Sequence, residues 1–384
     1  MLFLFVGMTL MALLYGYLAL RLGRMFELSD AARRAGRLLF VLLWLCSPLP
    51  VLLRVAGIEN GGSDLLAWIL YLCLGLASLL LALLLPVDGM RWLWAKARLL
   101  FFARPVNRHR RNFMRRSVDW SVVGAGVALG GVGMRTALAL PLVREVTVPL
   151  GRTPLPLRDL RIAQFTDLHI GPTIGRDYVE GVVGIIGQLQ PEIVVITGDL
   201  VDGSVEHLRD SVAPLRQLAP RYGKYFVTGN HEYYAGAEAW IDHLRSLGFV
   251  VLLNEHRLIE HAGARLLLAG VTDFRAHDYL PAHRSDAAQA VAGAAAADLR
   301  ILLAHQPKSV LAAAEAGFDL QLSGHTHGGQ YLPWGAMAAV ANPYVRGLHR
   351  HNERTWIYVS PGTGFWGPPL RLGTEPEITL IRLR

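Results

Sequence analysis

The sequence predicts an α/β domain carried behind an α-helical membrane region, and three observations predict it. Apolar residues make up 52% of the 384-residue chain, but their excess is concentrated before residue 145. After Pro141 short β-rich runs alternate with helix-length segments, the signature of a largely parallel sheet flanked by helices. Most of those runs end on a small cluster of Asp, Asn, His or Gly, where such folds gather their functional loops. The length accommodates a membrane region over residues 1–145 and one domain over residues 146–384.

Residues 2–20, 38–53 and 65–87 contain no charged side chain, and the first and third are long enough to cross a ~30 Å hydrocarbon core as helices. The second is shorter and carries Pro48 and Pro50; it is read as spanning, with a re-entrant segment as the alternative. A fourth, weakly apolar stretch over 122–143 holds five glycines and Arg135, placed near its far end where a long side chain can snorkel. About four membrane helices follow.

The net charge of +8 has a local origin. Residues 91–116 hold nine Lys or Arg and no Asp or Glu, which leaves −1 for the rest of the chain. A basic loop beside a membrane helix reads as a cytoplasmic anchor on anionic lipid. No aromatic-rich nucleic-acid motif accompanies it, so nucleic acid is excluded as a partner. Within it, Arg110-Arg111-Asn112-Phe113-Met114-Arg115 resembles the twin-arginine export signal, and Ala137-Leu138-Ala139 offers a small-x-small cleavage site. The bland reading is a run of positive-inside charges. The 21–37 loop has five Arg and the 54–64 loop only one, so the charge rule places both basic loops inside and the carboxy-terminal domain outside. In a bacterium this is a multi-pass protein of the inner membrane with a periplasmic catalytic domain, and the twin-arginine translocase is a partner. Cys46 and Cys73 both lie in apolar segments, so the domain has neither disulfide nor thiolate metal site.

In the domain, strands are predicted over 161–166, 192–197, 224–228, 265–271, 300–304 and 319–323, with helices over 177–190, 205–218, 237–247 and 307–316. Runs at 356–360 and 377–382 lack intervening helices and are expected to close a second sheet. The Ala-rich stretch 287–297 reads as an exposed helix or linker.

The polar clusters carry the chemistry. Asp167 and His169 stand two apart after a strand, where alternation can send both to one side and suit one metal. Asp199 ends the next strand behind Gly198; its two oxygens can bridge cations about 3.5–4 Å apart. Asn230 offers a carbonyl oxygen, His305 an imidazole, and His325 and His327 can divide between two metals. Two dications less two carboxylates leave about +2, which favours a phosphate ester and lowers the pKa of a bridging water to give a hydroxide nucleophile. His231 is assigned to the developing charge or leaving group. Glu232 is expected to orient an imidazole, and Asp202 to cap the following helix. A lone His such as His305 after a strand is usually structural, but the ordered set Asp-x-His, Gly-Asp, Gly-Asn-His-Glu, His, Gly-His-x-His is highly specific. His109, His207, His243, His256, His261, His277, His283, His349 and His351 fall outside it.

Residues from about 158 to 384 resemble the calcineurin-like metallophosphoesterase superfamily. The Gly-His-Thr-His-Gly-Gly-Gln run ending at Gln330 resembles its membrane-associated bacterial branch, which includes exported phosphodiesterases and relatives of UDP-2,3-diacylglucosamine hydrolases. The resemblance implies a four-layer α/β/β/α sandwich and a dinuclear site. Asp167, His169, Asp199 and His327 would hold one metal, Asp199, Asn230, His305 and His325 the other, and His231 would assist catalysis. Mixed His, carboxylate and amide ligands suit Mn, Fe or Zn, and the resemblance favours Mn. The chain departs from relatives at Ser360-Pro361-Gly362-Thr363-Gly364, expected to border the pocket.

The expected activity is therefore that of a membrane-tethered metal-dependent phosphodiesterase or phosphatase acting on a lipid or envelope phosphate ester. The alternatives are a cytosol-facing UDP-2,3-diacylglucosamine-type pyrophosphate hydrolase, a protein phosphatase, or a non-catalytic metal-binding scaffold. The segment Phe365-Trp366-Gly367-Pro368-Pro369, with Trp334, reads either as core packing or as an interfacial patch.

Overall fold

The computed structural model describes residues 2–25, 29–101, 108–158 and 160–384. The described residues divide into two compact units, one of residues 1–58, 62–135 and 367–372, the other of residues 59–61, 136–366 and 373–384. The division falls ahead of the expected boundary at 145, because the last apolar helix stops at Leu138 and Leu142–Val148 is already a strand.

Among the described residues, four helices are long and apolar enough to cross a membrane: Phe5–Met25, Asp30–Val55, Gly61–Arg98 and His109–Leu138. The second is broken into Asp30–Cys46 and Leu49–Val55, since Pro48 has no N–H to continue the ladder. Ser29 caps its start by accepting from the Ala32 N–H at 3.2 Å. The basic segment expected as a loop is mostly helical, because Gly61–Phe101 and Arg108–Leu138 run into it from both sides; residues 102–107 lie outside the described residues. Five polar side chains within the helical unit form one cluster. Arg21 donates to Asp88 at 2.7 Å and to Asp119 at 2.6 Å, Arg91 reaches the same Asp119 oxygen at 2.6 Å, and the Tyr17 hydroxyl donates to Asp88 at 2.9 Å. Residues 367–372 pack here too, with the Arg371 N–H donating to the Gly133 carbonyl at 2.9 Å.

In the other unit, the described residues form two six-stranded sheets. The first holds β1 (Leu142–Val148), β2 (Arg161–Phe165), β3 (Ile193–Ile196), β4 (Lys224–Phe226) and β5 (Val250–Val251). The second holds β6 (Glu255–His261), β7 (Ala264–Gly270), β8 (Leu299–Leu303), β9 (Leu320–Ser323), β10 (Gly347–Arg350) and β11 (Trp356–Val359). The final strand, β12 (Glu377–Leu383), corrects an expectation: it returns to the first sheet, inserted parallel to β1 and antiparallel to β2. Within each sheet the middle strands are parallel, β2-β3-β4-β5 in one and β7-β8-β9-β11 in the other.

Strand alternation builds the layers. Ile162, Val195, Leu266, Leu268, Ile301 and Tyr358 point inward and form one core between the sheets. Their neighbours Ala163, Phe165, Val194 and Ile196 point outward beneath the helices Arg176–Leu189 and Ala237–Ser246, which contribute Val179, Ile186, Trp240 and Leu244. On the other side Leu267, Ala269 and Leu302 meet Ala287, Ala290 and Ala313. The Ala-rich stretch is thus a short helix, Ala287–Val291, used for packing rather than a linker: small side chains let it lie close on the sheet. The architecture is the four-layer α/β/β/α sandwich, with helices outside two facing sheets.

Candidate metal centre

The parallel strands β2, β3, β8 and β9 end side by side, and the residues just past their ends converge. Three groups have ligand atoms within 4.8 Å of one another: Asp167, His169 and His327; His169, Asp199 and His231; and Asp199, His305 and His325. Every candidate ligand predicted from sequence other than Asn230 belongs to one of them. Asp167 and His169 meet by a different route from strand alternation, since both are past the strand with positive φ, 54° and 52°. Asp199, His325 and His327 share that left-handed conformation, with φ of 51°, 73° and 51°. Non-glycine residues rarely adopt it, and here it turns five candidate side chains inward.

Two glycines permit the approach of the loops. A Cβ on Gly324 would lie 2.1 Å from Asp167 Oδ2, and one on Gly229 would lie 2.2 Å from Asp199 Oδ1. Glu232 does not orient an imidazole: its carboxylate accepts from the backbone N–H groups of Gly229 at 2.6 Å, Leu200 at 2.8 Å and Asp199 at 3.0 Å, tying two ligand loops together. Asp202 is not the helix cap either. Ser204 caps Val205–Val212, while Asp202 Oδ1 accepts from His231 Nδ1 at 2.5 Å and His169 Nδ1 at 3.3 Å. Nor does 360–364 line an opening: it is buried, and Thr363 and Gly364 donate to the Thr166 and Asp167 carbonyls, which buttresses the first ligand loop.

These hydrogen bonds fix the imidazole tautomers. His305 Nδ1 donates to the Thr197 carbonyl at 2.8 Å, so its Nε2 is the nitrogen that faces Asp199 Oδ2, 3.1 Å away. His169 donates from Nδ1 to Asp202, which leaves its Nε2 3.0 Å from His327 Nε2. Asn230 Oδ1 is buried without a hydrogen-bond partner. Imidazole nitrogens and carboxylate oxygens gathered within 4.8 Å of one another, with an orphaned amide oxygen in the same loop as His231, are a donor set that suits hard-to-borderline divalent cations.

The electrostatics agree. Burial opposes charge on His305, but Asp199, Asp167 and Asp273 outweigh it and push its pKa up to about 10. Burial is likewise outweighed at His231, which Asp199 and Asp202 push up to about 9. Burial and the neighbouring His305 push His325 down to about 3, leaving it neutral. Burial favours the neutral acid at Asp199, but the imidazoles of His305, His231 and His169 hold the carboxylate well below the usual range. A cation entering beside His305 therefore displaces a proton. Below about pH 10 proton and metal compete at His305, and apparent metal affinity should rise with pH by about tenfold per unit for each proton released. Calorimetric metal titration at pH 6.5, 7.5 and 8.5 checks this; an affinity flat across that range would refute it.

The sequence reading gave no role at the centre to Asp273, Tyr234 or Gln330, and expected Trp366 only in an interfacial patch or the core. Asp273, just past β7, is buried and accepts from Gln306 Nε2 at 2.9 Å. Tyr234 and Trp366 flank His231, with ring centroids 5.0 and 5.5 Å away. Gln330 closes the Gly-His-Thr-His motif on the backbone of Trp366. The spacing of Gln330 after His327 was the one available signal. The excluded histidines stay outside the cluster, for instance His261 against Tyr222 and His283 against Tyr233.

The family model of calcineurin-like phosphoesterases matches residues 160–329. A cow protein described as a transmembrane protein with metallophosphoesterase domain is 37% identical over 83% of this chain and 74% of its own length. Its zebrafish counterpart is 40% identical over 66% of this chain, which spans 59% of that relative. An uncharacterized metallophosphoesterase of Helicobacter pylori is 36% identical over 71% of each chain. The matched span contains the strand-end clusters described above, and the chain is accordingly a hydrolase that belongs to the calcineurin-like metallophosphoesterase family.

Proposed function

We propose that this protein is a membrane-tethered phosphodiesterase or phosphatase with a two-manganese centre, hydrolysing a phosphate ester of a lipid or envelope component on the periplasmic side of the inner membrane. Asp167, His169, Asp199 and His327 hold one ion, and Asp199, Asn230, His305 and His325 the other. The convergence of Asp and His ligand atoms within 4.8 Å of one another, together with the buried, unpartnered Asn230 Oδ1, is the observation that carries the reading. When bound, the ions supply Lewis-acid polarisation of the phosphoryl oxygens and acidify water.

The residues around them do the rest. Asp202 holds His231 by Nδ1 and leaves Nε2 free to protonate the leaving oxygen, and the high proton affinity of His231 keeps that proton in place near neutral pH. Glu232 keeps Asp199 and the 229–231 loop in register. Four membrane-length helices in the same chain support a substrate at the bilayer surface, and the basic 91–116 segment with its paired Arg110 and Arg111 supports export.

The full chain in lipid nanodiscs should lose hydrolysis of bis(p-nitrophenyl) phosphate on chelation, recover it with Mn²⁺, and turn over lipid phosphates in vesicles. Recovery with Zn²⁺ or Fe²⁺ but not Mn²⁺ would remove the manganese assignment, and vesicles left intact would remove the lipid. Alkaline phosphatase fused after residue 384 should be active and should lose activity when Arg110 and Arg111 both become Lys. A cytosolic carboxy terminus would instead favour a nucleotide-linked lipid precursor.

A further inference from the structure

We propose that Trp366, Tyr234 and Tyr279 form a wall on the His231 side of the centre that takes the apolar body of the phosphate ester, and that Gln330 is the residue positioning Trp366. The proposal rests on the lipid reading above and names the subsite that reading requires.

Two of the rings meet at His231. The Trp366 ring stands edge-to-face with His231 at 5.5 Å, Tyr234 stands on the same imidazole at 5.0 Å, and Tyr279 contacts Tyr234 at 5.4 Å. All three rings are half bare, at 49%, 50% and 52% exposure, whereas the adjoining Phe365 is fully buried. Large aromatic surface left open beside a buried imidazole is a binding surface, since packing alone would have covered it. Of the residues expected to form an interfacial patch, then, Trp366 has the exposure, while Phe365 packs with Ala137 and Ile174, and Trp334 is tied to Tyr331.

Gln330 sets the wall's distance from the chemistry. Its side-chain amide donates to the Trp366 carbonyl and accepts from the Trp366 N–H, both at 3.1 Å, copying the paired bonds of a strand. Gln330 is itself buried, and its N–H donates to the carbonyl of His327 at 3.0 Å. One turn therefore carries a candidate metal ligand and the clamp on the wall.

The chemistry of the wall, three large aromatic rings with half their surface bare, indicates an acyl or alkyl group as occupant. Trp and Tyr are also the side chains that favour the boundary between water and lipid.

Methyl, butyl and hexyl phosphate, tested as inhibitors of bis(p-nitrophenyl) phosphate hydrolysis by the full chain in nanodiscs, separate the wall from the lipid reading. In the wild type the inhibition constant should fall at least about tenfold from methyl to hexyl as methylenes are buried. Trp366→Ala and, independently, Tyr279→Ser should flatten that dependence to under about threefold. Gln330→Met should flatten it equally, with Gln330→Glu intermediate because it keeps only the acceptor, while both metal ions remain by mass spectrometry. A flat dependence in the wild type, or a slope unchanged by Trp366→Ala and Tyr279→Ser, overturns the wall. A steep slope in Gln330→Met overturns the positioning role. A wild type that shows the slope yet hydrolyses no vesicle lipid upholds the wall and defeats the lipid substrate.

Discussion

Asp199→Asn should abolish hydrolysis, lowering kcat/KM by on the order of 10³-fold or more, and should leave fewer than two metal ions bound. Asp199 and His169 are each common to two of the three ligand groups, and of the two Asp199 is the one with two oxygens to share. Its Oδ1 accepts from the His231 N–H at 2.8 Å, and its Oδ2 lies 3.1 Å from His305 and 3.9 Å from both His169 and His231. Asparagine keeps the shape but removes one negative charge from a buried site, and its amide would direct N–H donors toward imidazoles or cations. The loss is therefore electrostatic before it is structural. Metal analysis and a far-ultraviolet circular dichroism spectrum decide the matter. A folded variant with two ions and a tenth or more of the wild-type rate would show that Asp199 is not shared.

Gly324→Ala should be as damaging by a purely steric path. The added methyl carbon would sit 2.1 Å from Asp167 Oδ2, 2.4 Å from Thr166 Oγ1 and 2.7 Å from Thr166 Cγ2, all in a fully packed interior. Relief requires the Asp167 carboxylate to leave the position where it accepts from the His325 N–H at 3.0 Å. The variant should lose the ion proposed for Asp167, His169 and His327 and about 1–3 kcal/mol of stability. Gly184→Ala is the control: nothing lies within 4 Å of its Cβ, on an exposed position of the helix Arg176–Leu189, so it should be neutral or stabilising by up to about 1 kcal/mol. Thermal unfolding of the two variants, with metal content, separates them; equal melting temperatures would dismiss the clash.

What was legible in the sequence was what local pattern encodes. Apolar strands such as 193–196 and 301–303 announce themselves because both faces are buried, and the polar residues after them mark strand ends. The strands β1, β6 and β10 escaped because they are edge or partly exposed strands without an apolar run. The path of β12 was invisible, since entry between β1 and β2 depends on partners more than 200 residues away in sequence. At the site, ligand types followed from the motif, but the roles of neighbours did not. Asp202 and Ser204 are both good caps by type, and only the three-dimensional position of His169 and His231 draws Asp202 away. Glu232 could not be assigned to backbone N–H groups of residues 199 and 200 without the fold that places them beside it.

The buried ion-pair cluster of the helical unit has a bearing on the export reading. The helix that carries the paired arginines also carries Asp119, and that carboxylate is 2% exposed, gripped by Arg21 and Arg91 from two other helices. Its span has the lowest mean hydropathy of the four, 1.3, so it owes its place to those arginines more than to its own apolarity. Cutting the chain after this helix and discarding it would leave Arg21 and Arg91 to share Asp88 alone, and removing a buried partner costs about 3–5 kcal/mol. If the paired arginines act as an export signal, the helix behind them is thus no disposable leader but a structural member of the bundle.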